Sequence, residues 1–175
     1  MSNLTASIQD KLRNIAKNSG KDFQLILTRY FQERLLYRLS QTVHRDNFCL
    51  KGGALLYAFE RETSRPTLDI DFLSLKIRIE QERFAEIFRE ICGFQYLDDG
   101  VQFETKKVTV SEIMEQRKYA GLQIKIPASL GTMKQLMKID IGFGDVVTPI
   151  TNFAGKLNLL VNENYFLHLL IDNLK

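Results

Sequence analysis

A chain of 175 residues, 45 % hydrophobic and 26 % charged, holds enough apolar material for one core and too little length for several domains. Its net charge of +3 permits a basic face for polyphosphate or RNA without requiring one. The longest apolar runs, such as Phe166 to Ile171, are too short to cross a bilayer, and the first residues lack the charged-then-apolar pattern of a signal peptide, so the expected setting is the cytoplasm with no membrane partner.

Ile8, Leu12, Ile15 and Ala16 recur at helical spacing, and Asn18-Ser19-Gly20 ends that helix. A second helix carries Phe23, Leu27, Phe31, Leu35 and Leu39 in one i+4 row. The row drifts around the axis, which predicts burial on a broad face. Tyr30, Phe31, Arg34 and Arg38 on this helix read as core packing with charged edges, or as a basic-aromatic face for RNA. Phe48 to Leu50 is a short strand, Gly52-Gly53 breaks it, and Ala54 to Phe59 reads as a helix followed by a polar loop ending at Pro66. Leu68 to Leu75 reads as a strand. Phe84, Ile87, Phe88 and Ile91 mark a helix stopped by Gly93. Val101–Val110, Tyr119–Pro127 and Leu136–Ile141 then read as strands separated by Gly121, Gly131 and polar residues. Cys49 and Cys92 sit among apolar residues and read as buried thiols. Helices followed by strand, helix and strands predict an α+β (α/β) fold with a small mixed β-sheet flanked by helices.

Three places carry chemistry. In Asp69-Ile70-Asp71-Phe72 the two carboxylates share one face of a strand while Ile70 and Phe72 share the other. Like charges so close repel unless a cation lies between them, which makes the pair a metal-site candidate. Taken alone, such a pair is also what an edge strand presents to water. In the strand Leu136–Ile141, Leu136, Lys138 and Asp140 share one face and Met137, Ile139 and Ile141 the other. Beside the first strand, Asp140 completes a set of three carboxylates. Oxygen donors without His or Cys select a hard cation, Mg²⁺ or Mn²⁺, and two such ions can clamp a phosphoryl transfer. Otherwise Asp140 is a surface acid paired with Lys138. In Lys51-Gly52-Gly53-Ala54, two glycines before a helix allow close backbone approach to phosphate, and Lys51 adds charge. A lone Gly-Gly is otherwise a turn. Arg65, just before the acidic strand, reaches toward a triphosphate or stays solvated. No Walker A loop, dinucleotide fingerprint or Ser–His–Asp arrangement is present.

These blocks together resemble the AbiEii/AbiGii toxin family of nucleotidyltransferases and its MenT-like relatives, within the DNA polymerase β superfold. Phe48 to Leu56 resembles the family's Lys-Gly-Gly motif. Arg65 to Phe72 resembles its Arg-x-Thr-x-Asp-x-Asp block, and Ile139 to Asp145 with Pro149 its third block. The resemblance runs from the first helix to Pro149. It implies a polymerase β-like nucleotidyltransferase fold with N-terminal helices. The implied organisation is a helical segment over residues 1–45, a core over 46–149, and a short helical tail over 150–175 in place of the family's longer C-terminal region. It implies nucleotide transfer from an NTP, in relatives to the 3′ end of tRNA, in toxin–antitoxin or phage-defence systems, with a cognate antitoxin as partner. Asp69, Asp71 and Asp140 would be the catalytic and metal residues, and Lys51, Gly52, Gly53 and Arg65 the nucleotide-binding ones. Ala54 stands where the superfamily has Ser or Thr, which removes a hydroxyl near the phosphates. Two other readings are therefore open: a catalytically inactive module of this fold that binds NTP or RNA, and a protein-interaction domain whose acidic strand is only surface.

Overall fold

The computed structural model describes residues 2–54, 67–75, 77–114 and 120–144. Helix α1 (Ser2–Ser19) ends at Gly20, whose φ of 65° is left-handed. Helix α2 (Phe23–Ser40) starts at Asp22, whose carboxylate accepts the Leu25 N–H at 3.1 Å. Helix α3 spans Gln81–Gly93. The strands are β1 (Phe48–Lys51), β2 (Ile70–Ser74), β3 (Val101–Phe103), β4 (Thr109–Met114), β5 (Ala120–Leu130) and β6 (Met133–Gly142). They form one mixed six-stranded sheet in the order β1-β2-β6-β5-β3, with β4 also paired to β5. Only β2 and β6 run parallel among these pairs. The fold is α+β.

One face of the sheet packs under the helices. Ile70, Phe72, Leu122, Ile124, Ile126, Ile139 and Ile141 from the strands share a core with Leu27, Phe31 and Leu35 of α2, Leu12 of α1 and Phe84, Ile87 and Phe88 of α3. Phe48 anchors this cluster with ring centroids 5.4 Å from Phe72 and 5.5 Å from Phe88. The N-terminal helices thus belong to the same core as the sheet.

Where the strands differ from expectation, local chemistry explains it. The expected strand over Val101–Val110 is two strands, separated by a 3₁₀ turn at Thr105–Lys107. Its neighbour on β5 at the break is Pro127. The Pro127 carbonyl accepts the Glu104 N–H at 2.9 Å. A strand residue's N–H and C=O point the same way, so the N–H that Pro127 lacks is missing from this ladder. Gly121 does not separate strands but lies inside β5. A Cβ there would stand 3.0 Å from Ile113 Cγ1 and 3.1 Å from the Ile141 carbonyl oxygen. The β5–β6 turn is Gly131-Thr132, with Gly131 at φ 60°. Cys92 is buried, and burial pushes its thiol up to about 12; Cys49 is only half-buried.

Helix α2 is buried along nearly its whole length, polar residues included. Tyr30, Phe31, Arg34 and Arg38 are all buried, so this group packs inside and offers no RNA face. Glu33 is also buried, and its Oε2 has no hydrogen-bond partner among the described residues. Burial raises its carboxyl to about 8, against the opposing pull of Arg34 and Arg29. A raised folded-state value means the proton stabilises the fold fully below the unfolded value near 4.5, and that contribution is lost as pH rises through about 8. Glu33→Gln keeps the neutral form at every pH. Its melting temperature relative to wild type should climb between pH 5 and pH 9, by the equivalent of a few kcal/mol on the order of 1.4 kcal/mol per unit of pKa. A difference independent of pH across that window contradicts a proton held on Glu33.

Candidate active site

The face of the sheet turned away from α1, α2 and α3 gathers the polar residues of β1, β2, β6 and β5. In the parallel β2–β6 pair, Ile70 partners Ile139, Asp71 partners Asp140, and Phe72 partners Ile141. The isoleucines and Phe72 are at most 1 % exposed and fix that face to the core. Alternation then sends Asp71 and Asp140 to the other face, adjacent and half-exposed. Lys51 on β1 partners Asp71, and Gln123 on β5 partners Asp140. The result is one row across four strands: Lys51, Asp71, Asp140, Gln123. The Gln123 amide donates to Asp140 Oδ1 at 3.0 Å.

Asp69 lies just ahead of β2 and is half-exposed; its carbonyl accepts the Thr67 hydroxyl at 3.1 Å. Among the described residues, no three His, Cys, Asp or Glu side chains stand close enough together to hold a metal ion. The juxtaposition in the fold is that of Asp71 with Asp140, with Asp69 two residues upstream. The donor chemistry of these three is all carboxylate oxygen, which fits a hard divalent cation and not zinc.

Directly after β1, residues 52–54 are helical. Gly52 has φ 64°, and a Cβ built on it would fall inside the Asp71 carboxylate, 2.9 Å from Asp71 Cγ. A Cβ on Gly53 would stand 2.9 Å from Thr67 Cβ. The two glycines therefore let the β1–helix junction close against the strand that carries Asp71 and the turn that carries Asp69. Ala54 is half-buried and packs against the core. Arg65, Leu55 and Leu56, together with Lys118, Asp145, Pro149 and residues 150–175, lie outside the described residues.

Two contributors were not singled out in the sequence. Gln123 interrupts the apolar strand Leu122-Gln123-Ile124, and that alternation was the available signal. Thr67 gave none. His44 is paired with Glu90 of α3, its Nε2 2.6 Å from Glu90 Oε2, and is not part of the acidic row. No described helix is long and apolar enough to cross a membrane.

A family model described as nucleotidyl transferase AbiEii toxin, type IV TA system, matches residues 34–154. That range contains β1, the Gly-Gly junction, β2 and β6, and so the whole row built above. No curated protein and no solved structure gives a significant match.

Proposed function

The chain belongs to the AbiEii family of nucleotidyl transferase toxins of type IV toxin–antitoxin systems, and from that premise we propose that it transfers a nucleotide from an NTP to an acceptor hydroxyl. The observation that carries the reading is the register pairing of Asp71 with Asp140, with Gly52 closed against Asp71.

In this reading Asp69, Asp71 and Asp140 would hold Mg²⁺ or Mn²⁺, which when bound neutralises triphosphate charge and polarises the phosphoryl oxygens. The backbone N–H groups at Gly52 and Gly53 face the phosphates at the start of a helix, where partial positive charge favours them. Lys51 and Arg65 offset the charge that develops on the leaving pyrophosphate. Asp140 lies on the side of the row away from Gly52, and Gln123 holds its Oδ1. It takes the proton of the acceptor hydroxyl. The acceptor oxygen bonds to the α-phosphorus, the bond from that phosphorus to the bridging oxygen breaks, and pyrophosphate leaves. An RNA 3′ end such as that of tRNA is the proposed acceptor, an antitoxin the proposed protein partner, and the cytoplasm the setting. Ala54 favours one second reading, a module that binds NTP without transferring it.

The test is incubation with each labelled NTP, Mg²⁺ and total RNA, resolved on a denaturing gel. Labelled RNA is expected, abolished by EDTA and reduced more than about 100-fold in Asp71→Asn, since even groups behind a metal ligand are worth ~10–100-fold. Melting curves separate the alternatives. Without metal, Asp71→Asn removes both the repulsion from Asp140 and the attraction to Lys51 opposite it, so it should melt close to wild type. With Mg²⁺ and NTP its stabilisation should be smaller than that of wild type. Stabilisation of wild type without label transfer leaves the binding module. Identical responses of both proteins to Mg²⁺ and NTP remove Asp71 from the site.

A further inference from the structure

Beyond the acidic row, the sheet face turned away from α1, α2 and α3 continues along β5 and β6 in a pattern the transfer chemistry above does not use. The next register pair is Lys125 with Lys138, then Pro127 with Leu136, then Ser129 with Lys134. All lie on the face of Asp140 by alternation. Successive pairs are about 7 Å apart, two residues of strand rise. Lys138 and Lys134 are exposed and Lys125 is half-buried. Two lysines directly opposite one another destabilise a sheet, and neither forms an ion pair with a described residue. Leu136 between the basic rows is 48 % exposed, an apolar step beside Pro127.

Such a face is shaped for an anion that repeats. Phosphate recurs along a nucleic-acid strand with apolar sugar and base surface between, whereas a single triphosphate would not extend past one row. The Gly-Gly junction and Lys51 flank the acidic row on the β1 side, so the lysine rows are reached from Asp140 without crossing the proposed NTP position.

We propose that β5 and β6 form the acceptor track: a single phosphodiester strand lies along β6, with one phosphate between Lys125 and Lys138, sugar or base surface on Leu136 and Pro127, the phosphate two linkages further on at Lys134, about 14 Å away, and its terminal hydroxyl at Asp140. This rests on the nucleotide-transfer reading for what happens at Asp140, but the track is a binding surface and is testable by binding alone.

The experiment is fluorescence anisotropy with a short mixed-sequence oligoribonucleotide and its deoxy counterpart, titrated with salt, on the full chain. Wild type is compared with Lys125→Gln/Lys138→Gln, with the arginine double variant and with Leu136→Ser. Each protein is also melted with Mg²⁺ and NTP. Removing both lysines from the one phosphate they share should reduce the slope of log affinity against log salt by about 0.7, the value for one neutralised phosphate on a single strand. The arginine variant should retain the wild-type slope. Leu136→Ser should weaken binding several-fold with the slope unchanged. All variants should keep the wild-type response to Mg²⁺ and NTP. Equal binding of the deoxy strand supports the same track, with the backbone and not the 2′-hydroxyl as its determinant. An unchanged slope in the glutamine variant overturns the proposal. Loss of its NTP response overturns it too, by assigning the lysines to the triphosphate. Lysine-dependent capture of polyglutamate with no oligonucleotide binding overturns it in favour of an acidic protein partner. Absence of any Mg²⁺–NTP response in wild type is a failure of the transfer reading alone, and leaves the oligonucleotide arm to decide the track.

Discussion

Asp99→Ala should lower the unfolding free energy by about 3–5 kcal/mol and the melting temperature by on the order of 10 °C. Asp99 is 1 % exposed, in the turn before β3, and its side chain grips Arg38 of α2 through two hydrogen bonds, Nη1 to Oδ2 at 2.6 Å and Nη2 to Oδ1 at 3.2 Å. Its Oδ1 also accepts the Val101 N–H at 2.9 Å, and its carbonyl accepts the Tyr30 hydroxyl at 2.7 Å. Arg38 also donates to the carbonyls of Arg34, Tyr96 and Val101 and lies 5.0 Å over the Phe103 ring. Alanine at 99 leaves a guanidinium that cannot lose its proton, nearly buried and without its counter-charge. The pair Arg38→Met/Asp99→Leu should recover most of the loss, because apolar residues of similar volume often replace a buried ion pair without net cost. Two strands, β6 and β5, separate β2 from β3 in the sheet, so transfer per folded molecule should stay within a few-fold of wild type. Urea unfolding of the single and double variants checks this. A single variant as stable as wild type would mean the pair contributes nothing.

The parts of the fold legible from sequence are those in which one face is buried and the other wet. Ile70 and Phe72 against Asp69 and Asp71, or Ile139 and Ile141 against Lys138 and Asp140, state which way each strand faces, because a slip of one residue would turn every side chain over. Chain-distant facts left weaker traces. Nothing near Leu97-Asp98-Asp99-Gly100 distinguishes a buried aspartate from an ordinary turn acid, since its partner, Arg38, is 61 residues away. The break between β3 and β4 depends on Pro127 of the neighbouring strand. That Asp71 faces Asp140, and not Lys138 or a hydrophobic residue, is a parallel register across 69 residues, and the phase of each strand fixes the face but not the partner. Gly52-Gly53 was legible as a place where backbone must come close to something. The structure adds that one such neighbour is the Asp71 carboxylate itself.

Gly52→Ala should reduce nucleotide transfer on the order of 100-fold, while Gly20→Ala leaves it unchanged. The two glycines have nearly the same backbone, φ 64° and φ 65°. Alanine in that region costs about 1–2 kcal/mol at either position. They differ in what the new methyl meets. Around Gly20 nothing lies within 4 Å, whereas at Gly52 the methyl would occupy the space of the Asp71 carboxylate. Asp71 must turn, or β1 and β2 must part at the Lys51–Asp71 register. Either movement displaces by an ångström or so a carboxylate whose position relative to Asp140 is the centre of the proposed chemistry, and misplacement on that scale can remove about 100-fold in rate. Gly20→Ala therefore measures the backbone strain alone, and the difference between the variants isolates the contact with Asp71. Both should unfold cooperatively with similar losses in stability, but only Gly52→Ala should lose part of its melting shift with Mg²⁺ and NTP. If Gly52→Ala transfers label as well as Gly20→Ala does, the closure of Gly52 on Asp71 has no part in catalysis, and the glycine serves the turn alone.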